Sequence, residues 1–138
     1  MYSNKKQRHP VAGIVVVRKF KDGWRVLGLK DGGEMDITKG RIDHGEMPFN
    51  CALRETEEES GIKQDDLIFS WGVKPLVIKH ATIFIAETNS DPLITKNPDT
   101  GMFEHESAHW LTWKDLKNSC YPYLRDVISW AEAVVERK

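Results

Sequence analysis

The stretch Met47 to Ser60, MPFNCALRETEEES, constrains this chain more than any other. Pro48 suits the first turn of a helix, where its missing amide hydrogen costs nothing, and Gly61 suits the left-handed residue that ends one. Phe49, Ala52, Leu53 and Thr56 recur at i, i+3, i+4 and i+7, so they define the face that packs inward. With about 3.6 residues per turn, Glu55, Glu58 and Glu59 then share one arc of roughly 100°, beside the apolar arc rather than opposite it. Arg54 lies on the other side of Glu58. Carboxylates spaced i, i+3 and i+4 repel one another, which costs helix stability unless a cation sits among them. A hard divalent ion with oxygen ligands, Mg2+ or Mn2+, is the natural occupant. Mg2+ keeps much of its water and takes further oxygens from substrate phosphates, so the arrangement points to phosphate chemistry. A solvated charged face is the plain alternative, and the surroundings decide against it.

Those surroundings run from Gly40 to Ile62, GRIDHGEMPFNCALRETEEESGI. Gly40, Glu46, Arg54, Glu55, Glu58, Glu59, Gly61 and Ile62 match the pattern G-x5-E-x7-R-E-U-x-E-E-x-G-U, with U a bulky aliphatic residue. Fixed identities at roughly 5–7% each make a chance match about 10⁻⁸ to 10⁻⁹ per register. The chain thus resembles the Nudix hydrolases. Thr56 departs from the pattern, which has an aliphatic residue there; its β-branched methyl is expected to pack in the same place. The resemblance implies an α/β (α+β) fold, an α/β/α sandwich around a mixed central sheet. It also implies metal-dependent hydrolysis of a nucleoside diphosphate linked to another group. By position, Glu55, Glu58, Glu59 and the Gly40 carbonyl would hold Mg2+ or Mn2+. Arg54 and Glu46 would support them, Arg54 by holding a carboxylate bidentately and fixing its orientation. One carboxylate must accept the proton of the attacking water; Glu59 is a candidate, and Glu104 or Glu106 would also serve.

Two shorter runs resemble the subgroup that cleaves dinucleoside tetraphosphates asymmetrically. One is Lys39-Gly40 followed by Asp43, Gly45 and Glu46; the other is Glu104-His105 with Trp110, where Glu104 takes the place of an extra catalytic glutamate. Lys39 would be a point charge for a phosphate. Tyr121 would replace an aromatic that stacks on adenine, and Lys79 and His80 could contact the polyphosphate or be a solvated strand end. The usual Pro-Lys-Gly is Thr38-Lys39-Gly40 here, and the aromatic expected before it is absent. The substrate expectation is therefore a dinucleoside polyphosphate cut to a nucleoside triphosphate and monophosphate. ADP-ribose, a nucleoside triphosphate or an RNA 5′ end are the alternatives, and a non-catalytic nucleotide-binding module a remoter one. His105 and His109 find no His or Cys partner for a zinc site and read as structural.

Composition agrees. Residues 1–138 are read as one domain, long enough to fold without disulfides. A net charge of −1 gives no broad positive field for a nucleic-acid coat or a membrane surface. Cys51 and Cys120 read as reduced packing thiols of a cytoplasmic protein, monomeric or homodimeric. Lys5, Lys6 and Arg8 before Val11 to Val17 imitate a signal peptide, but the run ends in Arg18-Lys19 and reads better as a strand. Strands are predicted at Val11–Phe20, Trp24–Lys30, Leu67–Val73, Leu76–Glu87 and His109–Trp113, with an extended piece at Met35–Lys39 and a loop at Gly40–Gly45. A closing helix is predicted over Pro122–Arg137, and a long polar loop over Asn89–Gly101.

Overall fold

The structure, a computed structural model, describes residues 9–137. Lys5, Lys6 and Arg8 lie outside the described residues. Strand β1 (Val11–Phe20) is the centre of a seven-stranded mixed sheet. Its β-branched run Val15-Val16-Val17 is buried on both sides, as a central strand requires. β1 pairs in parallel with β6 (Ala81–Glu87) along most of its length. β5 (Leu76–Ile78) forms a hairpin on the far side of β6.

The other edge of β1 is shared. Its C-terminal half pairs with β2 (Gly23–Asp31), from Val17 opposite Val26 to Phe20 opposite Gly23. Its N-terminal half, Val11 to Ile14, pairs with β4 (Thr38–Arg41). β2 therefore peels away from β1, and β3 (Glu34–Asp36) pairs back onto β2 from Leu29 to Asp31. Ile37, fully buried between β3 and β4, fills the wedge where the two strands part. β7 (Ser107–Leu111) covers the outer edge of β2.

Alternation along β1 splits the core in two. Ala12, Ile14 and Val16 face α1 (Pro48–Ser60), with Cys51, Ala52 and Leu53 from the helix and Phe84 from β6. Val15 and Val17 face α2 (Trp113–Ser119) and α3 (Arg125–Val135), which contribute Leu116, Val127, Ile128 and Ala131. The sheet is thus covered by helices on both faces, the expected α/β/α sandwich.

Several predicted boundaries change. Leu76–Glu87 is two strands, β5 and β6, parted by the turn at Lys79–His80. Leu67–Val73 is not a strand: only Ile68 pairs, with Glu87, and the chain then turns through Gly72 at a φ of 86°. Trp113 does not end β7; it starts α2, where the Thr112 side chain accepts a hydrogen bond from the Asp115 amide at 3.1 Å. The closing helix begins as a 3-10 turn at Pro122–Leu124 and becomes α-helical from Arg125. Gly40 and Arg41 belong to β4, so the loop starts at Ile42.

Candidate active site

β4 and α1 meet side by side, and the glutamates of α1 lie along that seam. Thr56, Glu59 and Ser60 are buried there beside the apolar face. Arg54 organises the cluster. Its Nε and Nη2 donate to the two carboxylate oxygens of Glu46 at 2.8 and 3.0 Å, a bidentate fork. Its Nη1 donates to Glu55 at 2.9 Å and Glu58 at 3.3 Å. Nη2 also reaches the Arg41 carbonyl at 3.0 Å, which ties the helix to the end of β4. Paired to Arg54 and to the Asp43 amide, Glu46 is held down at about 2.

Glu55 and Glu59 are also crowded. A methyl group at Gly40 would sit 2.0 Å from the Glu55 carboxyl carbon, so the absence of a side chain at Gly40 is what lets Glu55 lie on that backbone. Glu59, 7% exposed, accepts the Lys39 amide at 3.0 Å. Burial, with Glu55, Asp36 and Glu104 nearby, pushes Glu59 up to about 9. Burial likewise raises Glu55, with Glu58 and Glu104 adding to it and Arg54 opposing. Glu55 and Glu59, pushed toward their neutral form by burial first and by neighbouring carboxylates next, are donors short of positive charge, which a hard divalent cation would supply. Glu58, Glu59, Glu104 and His105 surround a cleft of about 10 Å³, room for one water or ion.

Glu104 arrives from the long polar loop. That loop is fastened to the end of α1: the Leu93 amide donates to the Ser60 carbonyl at 2.7 Å, and the Thr95 hydroxyl to the Glu58 carbonyl. Asn97 then builds a turn, accepting the Asp99 amide at 2.8 Å, while its side-chain amide donates to Glu104. Sequence reading assigned no role to Asn97; its signal was the Asn-Pro-Asp-Thr-Gly turn composition.

The predicted substrate residues separate into two groups. Lys39 stays at the seam, its ammonium 3.4 Å from Asp36 and 5.6 Å from the centre of the Tyr123 ring. Burial opposes its charge, but Asp36 and Tyr123 raise its pKa overall. Lys79 and His80 form the β5–β6 turn and line a different cavity, of about 900 Å³, with Arg41 and Tyr123. Lys79 has a φ of 55°, rare outside glycine, and such strain persists where surrounding structure holds it. Tyr121 packs parallel to Tyr123, with ring centres 6.2 Å apart, and donates its hydroxyl to Asp31 at 2.5 Å. That hydrogen bond, with burial, lifts the Tyr121 hydroxyl to about 12. Asp31 and Asp36 escaped sequence reading, because only the fold of β2 onto β3 brings them beside residue 105.

A family model for the NUDIX domain matches residues 7–131. The chain belongs to the Nudix family. It is a Nudix hydrolase, an enzyme that cleaves pyrophosphate bonds. Among curated proteins it is 29% identical over 118 residues to the asymmetrical bis(5'-nucleosyl)-tetraphosphatase of Caenorhabditis elegans, covering 78% of this chain and 80% of that protein. Among solved structures, a C. elegans Ap4A hydrolase binary complex superposes with a TM-score of 0.75 at 22% identity, covering 91% of this chain and 97% of that one. A Nudix hydrolase from M. smegmatis gives 0.72 at 19% identity, covering 93% and 86%. At these identities the structural neighbours bear on the fold alone.

Proposed function

We propose that this Nudix hydrolase is a divalent-metal-dependent hydrolase of dinucleoside polyphosphates, cutting a tetraphosphate bridge into a nucleoside triphosphate and a monophosphate. The observation that carries the reading is the arrangement of Glu58, Glu59 and Glu104 around one ion-sized cleft, with Lys39 beside it. The similarity to the asymmetrical tetraphosphatase supports the substrate class.

In this reading Glu55, Glu58, Glu59 and the Gly40 carbonyl hold Mg2+ or Mn2+. The ion supplies neutralisation of the phosphate oxygens and orientation of the attacking water. Arg54 keeps the Glu55 and Glu58 carboxylates in place through its fork on Glu46. Glu104, on the opposite wall and the most exposed of the set, accepts the proton of the attacking water. Lys39 leaves Asp36 to pair with a phosphate oxygen. Arg41, Lys79 and His80 receive the rest of the polyphosphate in the larger cavity, and Tyr121 with Tyr123 offers ring faces to a base.

The test is product analysis across a panel of nucleotides with Mg2+ in water labelled with oxygen-18. Dinucleoside tetraphosphate should give triphosphate plus monophosphate, and the labelled product identifies the phosphorus attacked. Two diphosphates would overturn the cleavage position. Preferential turnover of ADP-ribose, a nucleoside triphosphate or capped RNA would overturn the substrate and leave the chemistry standing.

A further inference from the structure

Behind the glutamates of α1, β2, β3 and the segment before β7 enclose a second group of metal-ligating side chains. One oxygen each from Asp31 and Asp36 and one ring nitrogen of His105 lie within 4.8 Å of one another. We propose that Asp31, Asp36 and His105 form a cation site separate from the α1 glutamates, selective for a transition-metal dication over Mg2+.

Two observations point to a ligand there. His105 has a side chain only 6% exposed, and among the described residues it makes no hydrogen bond. Its Nε2 is 3.8 Å from the Asp36 carboxylate, beyond hydrogen-bonding reach yet close to the separation of two ligands on one metal ion. Its ring nitrogens are not cut off from the groove, and Nε2 lies near two carboxylates, so a cation arriving from solution can take the imidazole as a ligand. The site is also reachable: Asp31, Glu104, His105 and Glu106 line an open groove of about 600 Å³.

The donor chemistry sets the preference. Imidazole is a good ligand for Mn2+, Co2+ and Zn2+, whereas Mg2+ favours an all-oxygen shell. The carboxylates have capacity to spare. Asp31 accepts from Tyr121 through one oxygen only, and Asp36 is held by the Ile37 amide at 2.8 Å and by Lys39 at the longer distance of 3.4 Å. A dication at Asp36 replaces Lys39 as its counter-charge. It thereby frees that lysine, which couples this site to the neighbouring one without sharing a ligand with it.

The experiment titrates the protein with Co2+ alone, read by visible absorption and by shifted imidazole proton resonances. The background is Glu58→Gln/Glu59→Gln, which removes two of the α1 carboxylates. That protein should still bind one Co2+ with an imidazole ligand and should resist excess Mg2+. Adding His105→Gln or Asp31→Asn should weaken Co2+ binding by about tenfold or more. Asp31→Asn serves if His105→Gln fails to fold, which a thermal melt reports. No Co2+ bound to the Glu58→Gln/Glu59→Gln protein, or binding that neither further substitution alters, overturns the proposal. The proposed nucleotide reaction stands or falls separately, on turnover by the unaltered chain.

Discussion

The seam between β4 and α1 and the larger cavity beyond Arg41 mark two ends of the site built on opposite plans. At the glutamate end every side chain is held by a neighbour. Arg54 touches Glu46, Glu55 and Glu58, Glu59 takes the Lys39 amide, and Glu55 lies against Gly40. At the other end Arg41, Lys79 and His80 line a cavity of about 900 Å³, and among the described residues none of these three side chains is in a hydrogen bond or ion pair. Fixed groups suit a reacting centre, where displacement of an ångström costs rate. Unpaired basic side chains on an open wall suit a long flexible anion, whose binding tolerates adjustment. Substitutions at the first end should therefore lower kcat, and at the second raise KM.

The largest effect should come from Glu59. With its pKa at about 9 against an ordinary 4.5, the folded metal-free chain holds a proton that the unfolded chain has lost. Stability of the metal-free protein should then fall as pH rises from about 4.5 to about 9. Glu46 acts in the opposite sense: held at about 2, it adds stability above 4.5 that is lost as the solution is acidified. Glu59→Gln should flatten the decline on the alkaline side, seen in urea midpoints after chelation, while kcat drops by about 10³-fold. An unchanged slope would show that Glu59 is not the group responsible, and unchanged turnover would remove it from the reaction.

Arg54→Lys comes next. Lysine keeps the charge but cannot serve Glu46 through two parallel bonds while also reaching Glu55 and Glu58. Metal affinity should fall by about 10- to 100-fold, measured by Mn2+ titration, with the melting temperature lowered. If affinity holds, the glutamates are fixed by burial alone. At the open end, Lys79→Ala should raise KM by roughly tenfold and leave kcat within about twofold. An equal fall in kcat would erase the distinction between the two ends.

How much of this was legible depends on whether the information is local. Helical periodicity alone put Glu55, Glu58 and Glu59 on one side of α1, because the spacing of a helix is set by its own backbone. The β-branched run of β1 likewise read as a strand, and the structure buries it on both faces. The error at Leu67–Val73 arose because apolar residues there cover the sheet edge without pairing, apart from Ile68. α2 was missed although Thr112 and Asp115 already spelled a cap, since His109–Trp113 was read as one strand carried through Trp113. Lys39, Asp36 and His105 meet only after β2 peels from β1 and β3 folds back. Nothing in their sequence spacing encodes that closure.

The smallest predicted effect tests how the fixed end is kept in register. Thr56 stands where the Nudix pattern has an aliphatic residue, and Thr38 where the tetraphosphatase subgroup has proline, and they meet: their Oγ1 atoms are 2.9 Å apart, both side chains fully buried. Thr38 donates its one hydroxyl proton to the Ile14 carbonyl at 3.0 Å, so the proton between the pair belongs to Thr56. A chain of two hydrogen bonds thus runs from α1 through β4 to β1, one residue from Lys39 and from Glu55. Thr38→Val leaves the Thr56 hydroxyl buried and unpaired, at a cost of about 1–3 kcal/mol in urea denaturation. Thr56→Val removes only the donor, and Thr38 keeps its bond to Ile14, so the loss should be nearer 1 kcal/mol. Combining the two should recover most of the Thr38→Val loss, because an apolar pair of the same shape leaves no stranded group. If the losses add instead, the two threonines act independently, and the glutamate end is held by Arg54 and packing alone.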